Sequence, residues 1–225
     1  MNLFSFQNVN KIYPPYFKAL ININLEIKEG DFIILTGSTG AGKTTLLKLL
    51  YREEKPTSGE IFYKNISYSE LKTRQFNQLR QKWGIIFQDY KLFPDLSVYE
   101  NIKISLILSG KKFKNMKIFI YEYLERFLLA HKAQKKIKEL SGGEQQKVGV
   151  IRALIRDPEV LIADEPTGNL DPDSIKEILQ ILKEFHNKGK TIILATHDPI
   201  IINQKLGKLI RLKQGELINN VELFE

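Results

Sequence analysis

Residues 37–45 read G-S-T-G-A-G-K-T-T and lie between the apolar run F-I-I-L at 32–35 and the leucine-rich run L-L-K-L-L at 46–50. The stretch fits G-x-x-x-x-G-K-[ST] in full, with Gly37, Gly42, Lys43 and Thr44 at the fixed places and a further glycine at Gly40. A short β-branched strand, a glycine turn and a helix make the context in which that pattern wraps a phosphate chain. Backbone N–H groups do the wrapping, and a Cβ at Gly37, Gly40 or Gly42 would obstruct the approach or the dihedrals. The helix opening near Lys43 adds its dipole and unpaired N–H groups to the anion site. Lys43 is expected to reach the β- and γ-phosphates as a point charge, and the Thr44 hydroxyl to ligate Mg²⁺.

The rest of the chain bounds this reading. A length of 225 residues suits one nucleotide-binding core with an inserted subdomain better than two independent domains. Hydrophobic residues at 43% and charged residues at 27% are ordinary for a globular protein and argue against disorder. The net charge of +8 would suit nucleic acid, nucleotides or an anionic membrane, but the excess is lysine scattered through the chain rather than one basic block. With no cysteine there is no disulfide framework, thiolate metal site or catalytic thiol. The first residues, M-N-L-F-S-F-Q-N-V-N, lack the marks of a secretory signal, and no run of about 18 apolar residues occurs. A membrane role is therefore expected to come through a partner.

Residues 3–9 and 18–27 alternate apolar and polar side chains and predict half-buried strands around the stiff aromatic loop Y-P-P-Y-F. P-T-S-G-E at 56–60 predicts a turn, 61–63 a short strand, and 69–82 a helix with Ser69 as its N-cap. G-I-I-F at 84–87 predicts a buried strand closed by Gln88. From 89 to 156 strand patterns give way to helical periodicity, with segments at 98–108 and 116–129, which predicts a helical insertion. Strands are expected again at 160–163 and 191–195, separated by a helix over about 174–187. Such alternation predicts a parallel sheet with right-handed crossovers.

The strand V-L-I-A ends in Asp164 and Glu165, and a strand carboxyl end beside the phosphate loop is where ligands sit in open α/β sheets. Asp164 is suited to hold the Mg²⁺ hydration shell and Glu165 to polarise an attacking water. His197 and Gln88 close two other strands, where they could meet the γ-phosphate and the metal or water. L-S-G-G-E-Q at 140–145 gives a second anion-binding helix start, with Ser141 as N-cap, Gly142 and Gly143 exposing N–H groups and Glu144 in the first turn. Two phosphate cradles with one carboxylate pair suggest that the second serves another subunit's nucleotide.

These motifs, in this order, resemble the ATP-binding cassette (ABC) ATPases over essentially the whole chain. The resemblance implies an α/β P-loop NTPase core with an antiparallel β subdomain, over 1–88 and 157–225, and an inserted α-helical subdomain over 89–156. It implies ATP contacts from Gly37, Ser38, Thr39, Gly40, Ala41, Gly42, Lys43, Thr44 and Thr45, and from the signature residues Ser141, Gly142, Gly143 and Glu144. Asp171 matches the D-loop aspartate and Tyr13 the aromatic that stacks on adenine, with Tyr16 and Phe17 as neighbouring alternatives. Thr44, Gln88 and Asp164 would serve Mg²⁺, and Glu165, His197 and Gln88 catalysis.

L-L-Y-R-E-E-K-P-T-S-G-E, F-Q-D-Y-K-L-F-P-D-L-S-V-Y-E-N-I and A-D-E-P-T-G-N-L-D-P resemble the cell-division (FtsE) branch of the family. The lipoprotein-release and macrolide-export ATPases share the last stretch but are less similar around residues 51–54 and 89–94. That branch implies an ATP-dependent homodimer on the cytoplasmic face of the cell membrane, held by an FtsX-like integral membrane protein. A soluble ABC ATPase acting on nucleic acid is disfavoured by the single compact cassette. Lys147 and Gly149 replace a common arginine and alanine, away from the phosphate chemistry. Tyr90, Leu92, Phe93, Leu96 and Tyr99, just after Gln88, are expected either to pack the insertion onto the core or to line a docking groove for the partner.

Overall fold

A strand apolar on both faces is stable only between two covering layers. The run at 32–35 is such a strand. In the computed structural model, which describes residues 2–110, 114–168 and 170–223, it forms β3 (Phe32–Thr36) inside a six-stranded sheet. Its companions are β6 (Trp83–Ile86), β7 (Val160–Asp164), β8 (Thr191–Ala195), β9 (Lys208–Lys213) and β10 (Glu216–Leu223), in the order β10-β9-β3-β8-β7-β6. All neighbours are parallel except β9 and β10. The register pairs Phe32 with Ile192 and Leu161 with Ile192, so paired residues share a face, a parity that runs even in β3 and β8 and odd in β7.

That parity sorts the core into two clusters. Phe32, Ile34, Leu161, Ala163, Ile192 and Leu194 face α3 (Val98–Leu108), α4 (Met116–Arg126), α5 (Gly142–Leu154) and α6 (Pro172–Asn187). Ile33, Leu35, Val160, Ile162, Ile193 and Ala195 face α1 (Lys43–Leu50) and α2 (Thr73–Arg80). The same second cluster takes in an antiparallel sheet ordered β2-β1-β4-β5, formed by β1 (Asn2–Tyr13), β2 (Phe17–Lys28), β4 (Ser58–Tyr63) and β5 (Ile66–Ser67). Ile175, Ile178, Leu179, Leu182 and Phe185 on α6 repeat at three- and four-residue steps, which puts one apolar stripe on the sheet. Among the described residues, no helix is long and apolar enough to cross a membrane.

Several boundaries differ from the sequence reading. Ser69 is not a cap: its hydroxyl meets Ser67 Oγ at 2.6 Å, and α2 starts later, with Lys72 at the N-cap and its N–H donating to Gln75 Oε1. Ser58, Gly59 and Glu60 belong to β4, because β1 supplies a partner for them through Asn10 and Gln7. Strand β6 takes in Trp83 and stops at Ile86, and Gln88 lies in the turn that follows. Helix α4 stops at Arg126, where Leu128 turns left-handed (φ 57°) and Leu129 N–H donates back to Leu124 O at 2.7 Å. Helix α6 starts at Pro172, two residues before the predicted Ser174, since proline has the right φ for a first turn.

Candidate active site

Helix α1 begins directly on the glycine loop, with Gly42 as N-cap, no side-chain cap and no acid in its first turn. Its opening N–H groups therefore remain available to an external anion. A Cβ on Gly42 (φ 109°) would lie 2.6 Å from Ala19 O, so the close packing of β2 under the loop requires glycine there. Gly40 (φ 79°) is different: nothing lies within 4 Å of where its Cβ would be, on the open side of the loop. Lys43 is 8% exposed, and its Nζ donates to Gly37 O at 2.8 Å and Ser38 O at 3.3 Å. The ammonium thus sits inside the loop, restrained by the loop's own carbonyls.

Asp164, at the end of β7, is 6% exposed, and its Oδ1 is buried without a hydrogen-bond partner. Burial pushes its pKa up; the Thr44 hydroxyl opposes that shift, the Glu165 charge adds to it, and Lys43 opposes it. Thr44, Gln88 and Asp164 line one recess of about 180 Å³. A buried, orphaned carboxylate oxygen beside a hydroxyl is a donor set that a hard divalent cation would satisfy, so these residues fit Mg²⁺. No group of three or more His, Cys, Asp or Glu gathers anywhere among the described residues, so the fit here rests on one carboxylate with a hydroxyl and an amide.

Glu165 has a left-handed backbone (φ 48°), a conformation costly for a non-glycine residue and held here by Glu165 N–H donating to Ala195 O at 2.9 Å. Both carboxylate oxygens are engaged. His197 Nδ1 donates to Oε1 at 2.8 Å and Thr196 Oγ1 donates to Oε2 at 3.1 Å. His197 is otherwise exposed, beyond the end of β8. The structure therefore brings Glu165 and His197 together, and adds Thr196, which motif reading did not single out.

Ser141, Gly142, Gly143, Glu144 and Asp171 line a separate recess of about 640 Å³, none of whose lining residues lines the Asp164 recess. Ser141 and Glu144 form a reciprocal cap, Ser141 Oγ accepting from Glu144 N–H and Glu144 Oε2 accepting from Ser141 N–H at 3.0 Å. Lys132 donates to Glu144 Oε1 and heads the causes that hold the Glu144 carboxyl below its usual range. Lys132 lies twelve residues away on no shared motif, so spacing gave no sign of it. Asp171 caps α6 by accepting from Ser174 N–H and Ser174 Oγ, which lowers its pKa. Tyr13 ends β1, half-buried, with Lys11 Nζ 4.8 Å from its ring centre, while Tyr16 and Phe17 at the hairpin tip are 87% and 59% exposed.

The aromatic loop after Gln88 divides by exposure. Leu92 and Tyr99 pack against the helical cluster, whereas Phe93 is 50% exposed. Asn101, fully buried, pins the loop: its Oδ1 accepts from Phe93 N–H at 2.8 Å and its Nδ2 donates to Phe93 O at 3.1 Å and Ser97 O at 2.9 Å. Asn101 on α3 was also invisible to motif reading.

The family model for ABC transporter matches residues 20–168. The chain belongs to the ABC transporter family and is an ATPase of the P-loop ABC type. Within that family it is similar to the cell division ATP-binding protein FtsE of Bacillus subtilis, with 40% identity over 95% of this chain and 94% of that one. FtsE of Escherichia coli K12 is 39% identical over 96% of this chain and 97% of that one. Among solved structures, a dimeric bacterial ABC transporter cassette superposes with a TM-score of 0.91 at 35% identity, covering 99% of both chains. A dimeric ATP-binding cassette in a post-hydrolysis state, bound to ADP and Pi, gives 0.90 at 34% identity with the same coverage.

Proposed function

We propose that the chain is the ATPase subunit of a membrane complex in cell division. ATP is held by residues 37–45 of one copy and closed over by residues 141–144 and Asp171 of a second copy. The single observation that carries the nucleotide site is the orphaned Oδ1 of Asp164 in the recess shared with Thr44 and Gln88. The loop N–H groups and Lys43 bind the phosphates, and Tyr13 stacks on adenine. Thr44, Gln88 and Asp164 hold Mg²⁺, which when bound offsets charge on the phosphate oxygens. Glu165 orients the attacking water and takes up its proton, with Thr196 and His197 fixing the two carboxylate oxygens. On this reading residues 1–88 and 157–225 form the nucleotide-binding core and 89–156 the helical subdomain.

The FtsE relatives, named as cell division ATP-binding proteins, support a division role. To that role we add what the motif resemblance implies: an FtsX-type integral membrane protein as partner, control of cell-wall hydrolysis as output, and a place at the cytoplasmic face of the membrane. The dimeric cassettes support the two-copy arrangement. The groove bordered by Phe93 is the docking site for a cytoplasmic helix of the partner. Glu165→Gln tests the nucleotide sandwich: it should bind Mg-ATP, hydrolyse it very slowly and sediment as a dimer. A strictly monomeric ATP-bound variant, with and without the membrane partner, refutes the sandwich.

A further inference from the structure

A groove of about 470 Å³ lies between α2 and β6 on one side and α3 and α5 on the other, and its lining is of two kinds. Trp83, Phe87 and Leu108 are among its apolar walls. Arg80, Lys91, Arg152 and Arg156 stand among them, and no carboxylate lines the groove. Lys91 has a salt bridge to Asp89 at 2.7 Å, outside the lining. Arg80, the last residue of α2, is half-buried and makes no ion pair among the described residues.

Arg152 is less usual. Its guanidinium donates to Tyr90 O at 2.6 Å and to Lys91 O, and it has no carboxylate partner among the described residues. Burial lowers its pKa, and the neighbouring Arg156 charge lowers it further. A half-buried cation satisfied only by carbonyls keeps much of its desolvation cost, which an incoming carboxylate would relieve. The planar guanidinium also suits a carboxylate better than a point charge would.

We propose that this groove receives an amphipathic helix carrying an Asp or Glu within its apolar face, paired by Arg80 and Arg152. The proposal rests on the docking reading above and names the chemistry of the occupant. A small free anion would leave Phe93 and Leu108, 50% and 64% exposed, in water, whereas one helix face can cover apolar walls and present a carboxylate together. Arg152 further joins the groove to the backbone of Tyr90 and Lys91, which follow Gln88 closely in the chain. A carboxylate drawn to Arg152 therefore acts on the segment that carries a nucleotide-site residue.

The test uses the full chain co-expressed with the FtsX-type membrane protein of the same organism, captured through a tag on the membrane protein in detergent. Arg80→Glu should cut co-capture about tenfold, Arg80→Lys should keep most of it, and wild-type capture should fall as salt rises from ~50 to ~300 mM. ATP binding by each soluble variant, unchanged from wild type, shows that the fold is intact. Leu108→Ser tests docking without touching charge. If Leu108→Ser releases the partner and Arg80→Glu does not, the docking reading stands and the carboxylate proposal is overturned. If neither variant releases it, both are overturned. If the soluble chain alone binds phosphatidylglycerol vesicles and Arg80→Glu abolishes that binding by the same factor, the cations serve lipid headgroups, and the helix proposal fails.

Discussion

Asp164→Asn should stabilise the free protein while destroying its function. The carboxylate is 6% exposed, its Oδ1 has no partner, and its pKa is raised chiefly by burial. A buried polar atom without a partner costs on the order of 1–3 kcal/mol, and more when charged. Asparagine keeps the shape and the bond with Thr44 but removes the charge, leaving a neutral amide to bear a smaller cost. Lys43 already offsets part of the charge, so the expected net gain is about 1 kcal/mol, or about 2–4 °C in melting temperature for a chain of this size. The pH dependence has a definite sign. An acid whose folded pKa lies above its unfolded value stabilises the fold below the unfolded value and loses that contribution as pH rises through the folded one. The advantage of Asp164→Asn should therefore be greatest at neutral and alkaline pH and shrink as pH falls through the raised pKa. Thermal melts of both proteins without nucleotide, from about pH 3.5, near the unfolded carboxylate value, up to about pH 8, measure this, and the same melts with Mg-ATP should show the variant losing magnesium-dependent stabilisation. A variant that melts below wild type at pH 7.5 without nucleotide, or an advantage that does not change with pH, refutes the argument that Asp164 is held at a cost for a cation.

Lys43→Ala should remove most ATP affinity and all measurable turnover, read by nucleotide titration and phosphate release; near-normal turnover in the folded variant refutes the phosphate role of this loop. Phe93→Ala should weaken recruitment to the membrane partner while sparing ATP binding in solution, since Phe93 is half exposed and Asn101 holds its backbone rather than its ring. Pull-down beside an ATP titration decides it, and undiminished recruitment removes Phe93 from the docking surface. Gly149→Ala, in the middle of α5, should raise stability by about 1 kcal/mol, because nothing lies within 4 Å of the new Cβ and alanine holds a helix better than glycine. A denaturant midpoint that does not rise would show that the helix needs glycine there.

The sequence by itself determined the central layer. The run at 32–35 could be read as a strand because buried parallel strands are continuous apolar runs, and 37–45 could be read as a phosphate loop because only glycines allow such a turn. Helix α3 was legible to the residue at both ends, since Ser97 and Glu100 form a local capping box and the helical periodicity is strong. The start of α2 was not legible, because the Ser69 hydroxyl had a competing partner two residues away. The extra residues of β4 depended on β1, a partner some fifty residues distant that local propensity does not see.

The candidate site divides in the same way. Its residue types and spacings lay in the motifs, each confined to a few consecutive positions. That Asp164 Oδ1 is orphaned beside Thr44, that His197 and Thr196 hold the two oxygens of Glu165, and that Lys132 takes hold of Glu144 are facts of contact between distant segments. The groove is the clearest case: Arg80 and Arg152 lie seventy-odd residues apart in sequence, on separate helices. Only the packing of α2 and α5 against β6 sets both on the lining of one groove.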